Sequence, residues 1–304
     1  MLQFVGRRLA QSLVTVFAVS VIVFIFMNLA GDPAILLLPP EANAADVQHL
    51  RRALGLDRPA YARYVSFMTQ FWYSDQVKSF RYSDQLLPLI LTHLQWTLVL
   101  AVTALAISLT IGIPLGTIAA RNRARTIDVA LRIIAVLGES VPAFVTAILL
   151  MLVFAVKFGV LPVAGLGVRH AILPVVTLVF LQVAVLMRLF RSELLEVFAQ
   201  DYIRTARSKG LREWVVFTKH AFRNAAIPVL TMAGLLLNYL VLGAVVVEPI
   251  FAWPGLGWLI VQSVAARDYP VVVGGATVAA VLVALINLSV DVLQVWIDPR
   301  VRVT

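Results

Sequence analysis

The chain has 304 residues, of which 61% are hydrophobic and only 13% charged. Soluble globular domains run nearer half apolar with about a quarter charged, so the composition excludes a soluble enzyme or binding module and requires an integral membrane protein. A formal charge of +9 would suit nucleic acid, but on a membrane chain a basic surplus is first a topology signal carried by loops. No cysteine is present, which removes disulfide, thiolate and Cys-based metal chemistry.

Gly6-Arg7-Arg8 precedes an apolar run over residues 9–29. That run exceeds the roughly 7–15 residues of a signal-peptide core and no A-x-A site follows it, so it reads as a retained first span. Residues 30–93 form a long outer loop with order of its own. There ANAADVQHLRRALG (42–55) predicts a short amphipathic helix, capped by Asn43 and stopped by Gly55. Pro59 opens a second helical piece, and FWYSDQ (71–76) is aromatic enough to rest at the lipid interface.

Further apolar windows at 94–120, 133–156, 171–189, 226–247 and 271–296 bring the expected spans to six, each near the ~20 residues a bilayer core requires. The window at 171–189 is short and opens near Pro174, but omitting it would place Arg188 to Arg223 outside, against the positive-inside bias. With both termini cytoplasmic, Arg7, Arg8, Arg121, Arg123, Arg125, Arg132, Arg188, Arg191, Arg300 and Arg302 lie inside, and the two later outer loops hold only Lys157, Arg169 and Arg267. EPIFAWPGLGWLIVQSV (248–264) is apolar but broken by Pro249, Pro254, Gly255 and Gly257, which predicts a re-entrant or surface hairpin rather than a span. The expected division is a first helix and outer loop over 1–93, then a five-helix core over 94–304 with an inner loop at 190–225 and an outer hairpin at 248–270. No internal repeat is visible, which weakens an inverted-repeat carrier.

Between two of these spans lies a polar island, residues 196–228, with Arg204, Arg207, Lys209, Arg212, Lys219 and Arg223. Its basic character puts it in the cytoplasm. DYIRTARSKGL predicts a short helix from Tyr202 to Lys209 stopped by Gly210, and a second helix from about Leu211 continues into the fifth span through Pro228. Trp214, Val215, Phe217 and Phe222 are large apolar residues in this loop, and they must be buried against the chain's own helix ends or in a partner's groove. A lipid-binding juxtamembrane helix is the plainer alternative; the glycine break and the apolar interleaving favour a protein partner.

These residues resemble the cytoplasmic signature of the permease subunits of binding-protein-dependent ABC importers, in the dipeptide/oligopeptide/nickel branch. The broad family opens that signature on Glu-Ala-Ala, where this chain has Arg204, Thr205 and Ala206 before Gly210. Its closing Ile-x-Leu-Pro places hold His220, Phe222 and Arg223. The peptide-branch form, TARxKGL…HAxRNAxIP, is met closely. AGDPA (30–34), LRRALGLDRP (50–59), EPIFAWPGLGWL (248–259), RDYPVV (267–272) and NLSVDVLQVWIDPRVR (287–302) follow in the family's order, while SDQVKSFRYSDQ (74–85) replaces its usual outer-loop piece.

The resemblance implies an all-α polytopic membrane protein with six transmembrane helices in the type I, MetI-like importer architecture. It implies a transport subunit of the inner membrane that is not itself an enzyme. Its partners would be a second homologous permease, two ATPase subunits or domains, an external solute-binding protein and membrane lipid, with no nucleic acid. No cofactor would be bound by this chain; ATP and Mg would sit in the ATPases. The chain itself has no G-x-x-x-x-G-K-[ST] phosphate loop. The residues expected to grip the ATPase are Tyr202, Thr205, Ala206, Lys209, Gly210, Leu211, Trp214, Phe217, His220, Arg223 and Asn224. Cargo would be di- or oligopeptides, with nickel chelate, haem, glutathione or oligosaccharide as alternatives.

Polar residues inside the spans are the remaining candidates. Glu139, about a turn before Pro142, either lines the pathway and meets a cationic cargo group or pairs with Arg132 or Arg188. Gln182 and Asn238 line the pathway or join helices by hydrogen bonds. Asn287 and Asp291, one turn apart on the sixth span, favour packing. His49, His93, His170 and His220 are scattered and indicate no metal site. A secondary carrier driven by an ion gradient, with Glu139 as its one convincing coupling residue, and a non-transporting scaffold are the rival classes.

Overall fold

The computed structural model describes residues 2–29, 31, 33–36, 38, 43–53, 55–73 and 77–297. Twelve helices follow among the described residues: α1 (Leu2–Leu29), α2 (Pro33–Leu36), α3 (Ala44–Ala53), α4 (Ala60–Tyr73), α5 (Leu86–Arg121), α6 (Thr126–Ser140), α7 (Ala143–Lys157), α8 (Val168–Phe198), α9 (Asp201–Ser208), α10 (Glu213–Ile250), α11 (Leu256–Ala265) and α12 (Tyr269–Ile297). The expected tail cations Arg300 and Arg302, Asp32 of the AGDPA motif and residues 74–76 of the aromatic segment lie outside the described residues.

Five helices (α1, α5, α8, α10 and α12) are long and apolar enough to cross a membrane, and α6 with α7 gives a sixth when the pair counts as one span. The third span expected at 133–156 is broken in the middle. The chain bends by 97° between α6 and α7, because Pro142 supplies no N–H and drives Val141 into extended backbone (φ −92°, ψ 119°). The fourth span, expected from the shortest apolar window, is a 31-residue helix. It outruns its apolar window because Arg188 and Arg191 find carboxylate partners on α6. In the segment expected as an outer hairpin, α10 carries Glu248 and Pro249 in its last turn, and α11, only 10 residues long, follows a turn in which Ala252 sits at φ +47°.

The chain divides into two compact units, Met1–Trp96 with Pro254–Leu285, and Thr97–Trp253 with Ile286–Thr304. In the first, Phe71, Leu86, Ile90, Leu256, Leu259 and Val271 form a buried core. Gly274 fits against it closely, since a Cβ there would lie 3.0 Å from both Ile90 and Phe71. Asn43 caps α3, accepting from Asp46 N–H at 2.9 Å while the Asp46 carboxylate accepts from Asn43 N–H at 3.2 Å. Buried Asp268 accepts from the Ser79 hydroxyl and from the backbone N–H groups of Phe80 (3.2 Å) and Arg81 (3.1 Å), which fixes the segment before α5.

In the second unit, helices approach at small residues, as association within lipid requires. Gly112 and Gly116 lie four apart on α5. An added Cβ would come within 2.8 Å of Leu186 Cβ at the first and of the Met187 carbonyl oxygen at the second. Gly234 on α10 faces Val290 more closely still. Fully buried Glu248 accepts a hydrogen bond from Thr97 Oγ1 at 2.6 Å.

Candidate functional site

The polar island folds as α9, a tight turn and the first turns of α10. Gly210 adopts φ +73°, the left-handed region that glycine enters without penalty. Gly210 N–H bonds the Arg207 carbonyl at 2.9 Å and Leu211 N–H bonds that of Ala206 at 3.4 Å. These paired bonds around a left-handed glycine satisfy the last helix carbonyls, so the stop read from Gly210 has its full hydrogen-bond closure. A side chain at Gly210 would meet nothing within 4 Å; backbone conformation, not space, demands glycine.

One stripe of α9 is buried. Ile203 and Ala206, three apart, pack into a core with Leu186, Phe190 and Leu194 of α8 and Val216, Ala221 and Ala225 of α10. Burying Ile203 completely contributes about 1.5–3 kcal/mol toward holding the short helix, which could not persist alone at this length. The other faces look outward, with Tyr202, Thr205, Lys209, Gly210 and Leu211 all exposed. Arg207 closes the turn through Glu213, Nε to Oε1 at 2.8 Å, and its guanidinium lies 5.8 Å from the Phe198 ring. Tyr202 Oη accepts from Asn224 Nδ2 at 2.9 Å, which links α9 to α10. The exposed Arg204–Asp201 pair at 3.7 Å adds little.

The apolar residues of the island separate into two groups. Residues Val216–Phe222 form a π-helical turn, whose wider repeat rotates the faces that follow it. Val216 and Ala221 are thereby fully buried, although periodicity singled out neither. Phe217 sits between Trp214 (ring centroids 6.3 Å apart) and Phe222 (6.0 Å), with the Arg121 guanidinium 5.8 Å above its ring. Phe222 in turn meets buried Phe190 edge-on at 5.6 Å. Trp214 stays 67% exposed. The chain's own helix ends therefore cover part of the cluster and leave the largest ring open. His220 is half-buried and its carbonyl accepts from Asn224, while Arg223 and Asn224 are exposed.

Beside this surface lies an ion-pair system that hydropathy did not reveal. Asp128, fully buried at the start of α6, receives Arg191 Nε at 2.6 Å and Nη2 at 2.8 Å, and also the backbone N–H of Ala124 at 2.9 Å. Arg132 adds a longer contact at 3.5 Å. One carboxylate thus ties α6 to α8, with the bidentate geometry arginine provides. The signal in the sequence was an acid amid arginines expected on the inner side.

Glu139 pairs with Arg188 and not with Arg132; its second oxygen is buried without a hydrogen-bond partner. Gln182 is buried with an unpartnered Oε1. Asn238 Nδ2 donates to Asn287 Oδ1 at 2.6 Å, an interhelical bond between α10 and α12.

Residues 112–303 match the family described as binding-protein-dependent transport system inner membrane component, and residues 1–101 match the membrane component's N-terminal family. A putative peptide transport system permease protein of Brucella abortus is 42% identical, covering 97% of this chain and 98% of its own length. The glutathione transport system permease protein GsiC of Escherichia coli is 41% identical over 99% of both chains. The inward-facing MetNI methionine ABC transporter resembles the chain in fold, with a TM-score of 0.59 at 19% identity over 69% of this chain and 96% of the matched one. An amino acid ABC transporter crystallised with histidines gives 0.53 at 18% identity over 68% and 93%. Sequence matches along nearly the whole length, six candidate spans and a folded loop between the fourth and fifth agree: the chain belongs to the binding-protein-dependent transport system inner membrane components, the permease subunits of ABC importers.

Proposed function

We propose that this permease forms half of a pathway for short peptides, and that separate ATPase subunits drive it by gripping α9 and the start of α10. The observation that carries the reading is the contrast within the island. Ile203 and Ala206 anchor α9 in the core, while Tyr202, Thr205, Leu211 and Trp214 are offered outward. A short helix held on one face moves with its anchor, so force applied to it passes into α8 and α10. An ATPase that binds the inward- and outward-facing states differently shifts their populations by that difference. The second half of the pathway is a homologous permease, cargo arrives on an external binding protein, both termini are cytoplasmic, and ATP and Mg are bound by the ATPases. Peptide cargo is supported by the name of the Brucella relative, and glutathione by that of the Escherichia coli relative.

Reconstitution in vesicles tests this. With the second permease and the ATPases present, uptake of a labelled dipeptide or glutathione should require ATP inside and the loaded binding protein outside. The chain alone should give no uptake above empty vesicles. Accumulation by the chain alone along a proton or sodium gradient would instead establish a secondary carrier.

A further inference from the structure

The first unit contains a cavity of about 480 Å³, lined by residues outside the island. Arg52, Arg58, Arg63 and Lys78 line it, with no carboxylate among the described lining residues. None of the four has an ion-pair partner among the described residues, and Arg63 Nε is buried without a hydrogen-bond partner. Four cations around one cavity repel one another, and the half-buried Arg63 is only partly hydrated, so the site favours an anion that several donors can share.

The remaining lining identifies the anion's carrier. Phe24 and Met27 come from the last turns of α1, Val273 from the first turns of α12, and Phe67 from α4. Where α1 ends and α12 begins, the chain leaves the hydrocarbon layer, and Tyr269 Oη of α12 donates to the Gly31 carbonyl just beyond α1 at 3.0 Å. α4 exposes Tyr61, Trp72 and Tyr73, the residue types that settle at headgroup depth. The cavity thus joins a cationic lining to apolar helix ends at the interface. A soluble phosphate or carboxylate would make no use of the apolar side; a phospholipid would use both.

We propose that this cavity binds the phosphate of an anionic phospholipid, whose acyl chains run along the ends of α1 and α12. Native mass spectrometry of the intact transporter complex, incubated with phosphatidylglycerol or phosphatidylcholine, tests it. The wild-type complex should retain phosphatidylglycerol but not phosphatidylcholine. The Arg63→Gln/Lys78→Gln variant should retain about tenfold less. The charge-preserving Arg63→Lys/Lys78→Arg variant should retain it nearly as wild type does, which separates lost charge from lost folding. Glycerol 3-phosphate, the headgroup chemistry without chains, should not displace the lipid. Equal retention by the Gln variant, equal loss in both variants, or displacement by glycerol 3-phosphate would each overturn the assignment, the last in favour of a soluble phosphate ester.

Discussion

Replacing Trp214 with alanine is expected to lower ATP-driven uptake by roughly 10- to 100-fold while leaving the unfolding temperature of the permease nearly unchanged. The two parts of this expectation have separate grounds. The indole is 67% exposed, so its removal takes little from the fold. Exposed aromatic anchors at protein interfaces commonly contribute ~2 kcal/mol or more, about 30-fold in affinity. Phe217→Ala should behave differently. That ring is held among Trp214, Phe222 and Arg121 within the chain, so its truncation should lower stability as well as coupling. Uptake and co-purification of the ATPase, measured beside thermal unfolding in detergent, distinguish the two variants. Wild-type uptake by the Trp214 variant would show that the partner docks elsewhere.

Asp128→Ala is expected to produce the largest loss of stability of any substitution considered. It leaves Arg191, whose side chain is only 18% exposed, without its carboxylate, and it removes the acceptor for Ala124 N–H in a turn where Ala124 already adopts φ +61°. Breaking one side of a buried pair commonly costs about 3–5 kcal/mol, most of it from the stranded charge. Removing both charges should therefore be milder, and the Asp128→Leu/Arg191→Met double variant should recover a substantial part of the loss. The measurement is the thermal midpoint of each purified variant and its yield in the membrane fraction. If the double variant were as unstable as the single one, the shape of the contact and not the stranded charge would explain the loss.

Sequence reasoning reached the island because it depends on local features. Gly210 marks a helix end through its own backbone freedom, and a cluster of basic residues in a short loop between two spans is the local signal for which side that loop is expected on. The span positions were legible because hydropathy is a sum over neighbours. What depends on angle or on distant pairing was not. Pro142 was visible, but an apolar window carries no direction, so the 97° bend was not. Asp128 and Arg191 lie 63 residues apart, and each alone looks like an ordinary charge at a span's edge. Val216 and Ala221, five apart, share one buried face because of the π-helical turn over Val216–Phe222. A reading that assumes one helical period assigns those faces wrongly.

The central claim is that α9 faces the cytoplasm and is the part held by the ATPase. Since the chain has no cysteine, a single Arg204→Cys substitution on the outward face of α9 supplies a unique probe. In the assembled transporter, a short thiol cross-linker should join this position to the ATPase subunit. In intact cells, a membrane-impermeant thiol reagent should leave it unlabelled until the membrane is opened. Labelling from the outside of intact cells, or a complex that cross-links nowhere on the ATPase while still transporting, would contradict the account.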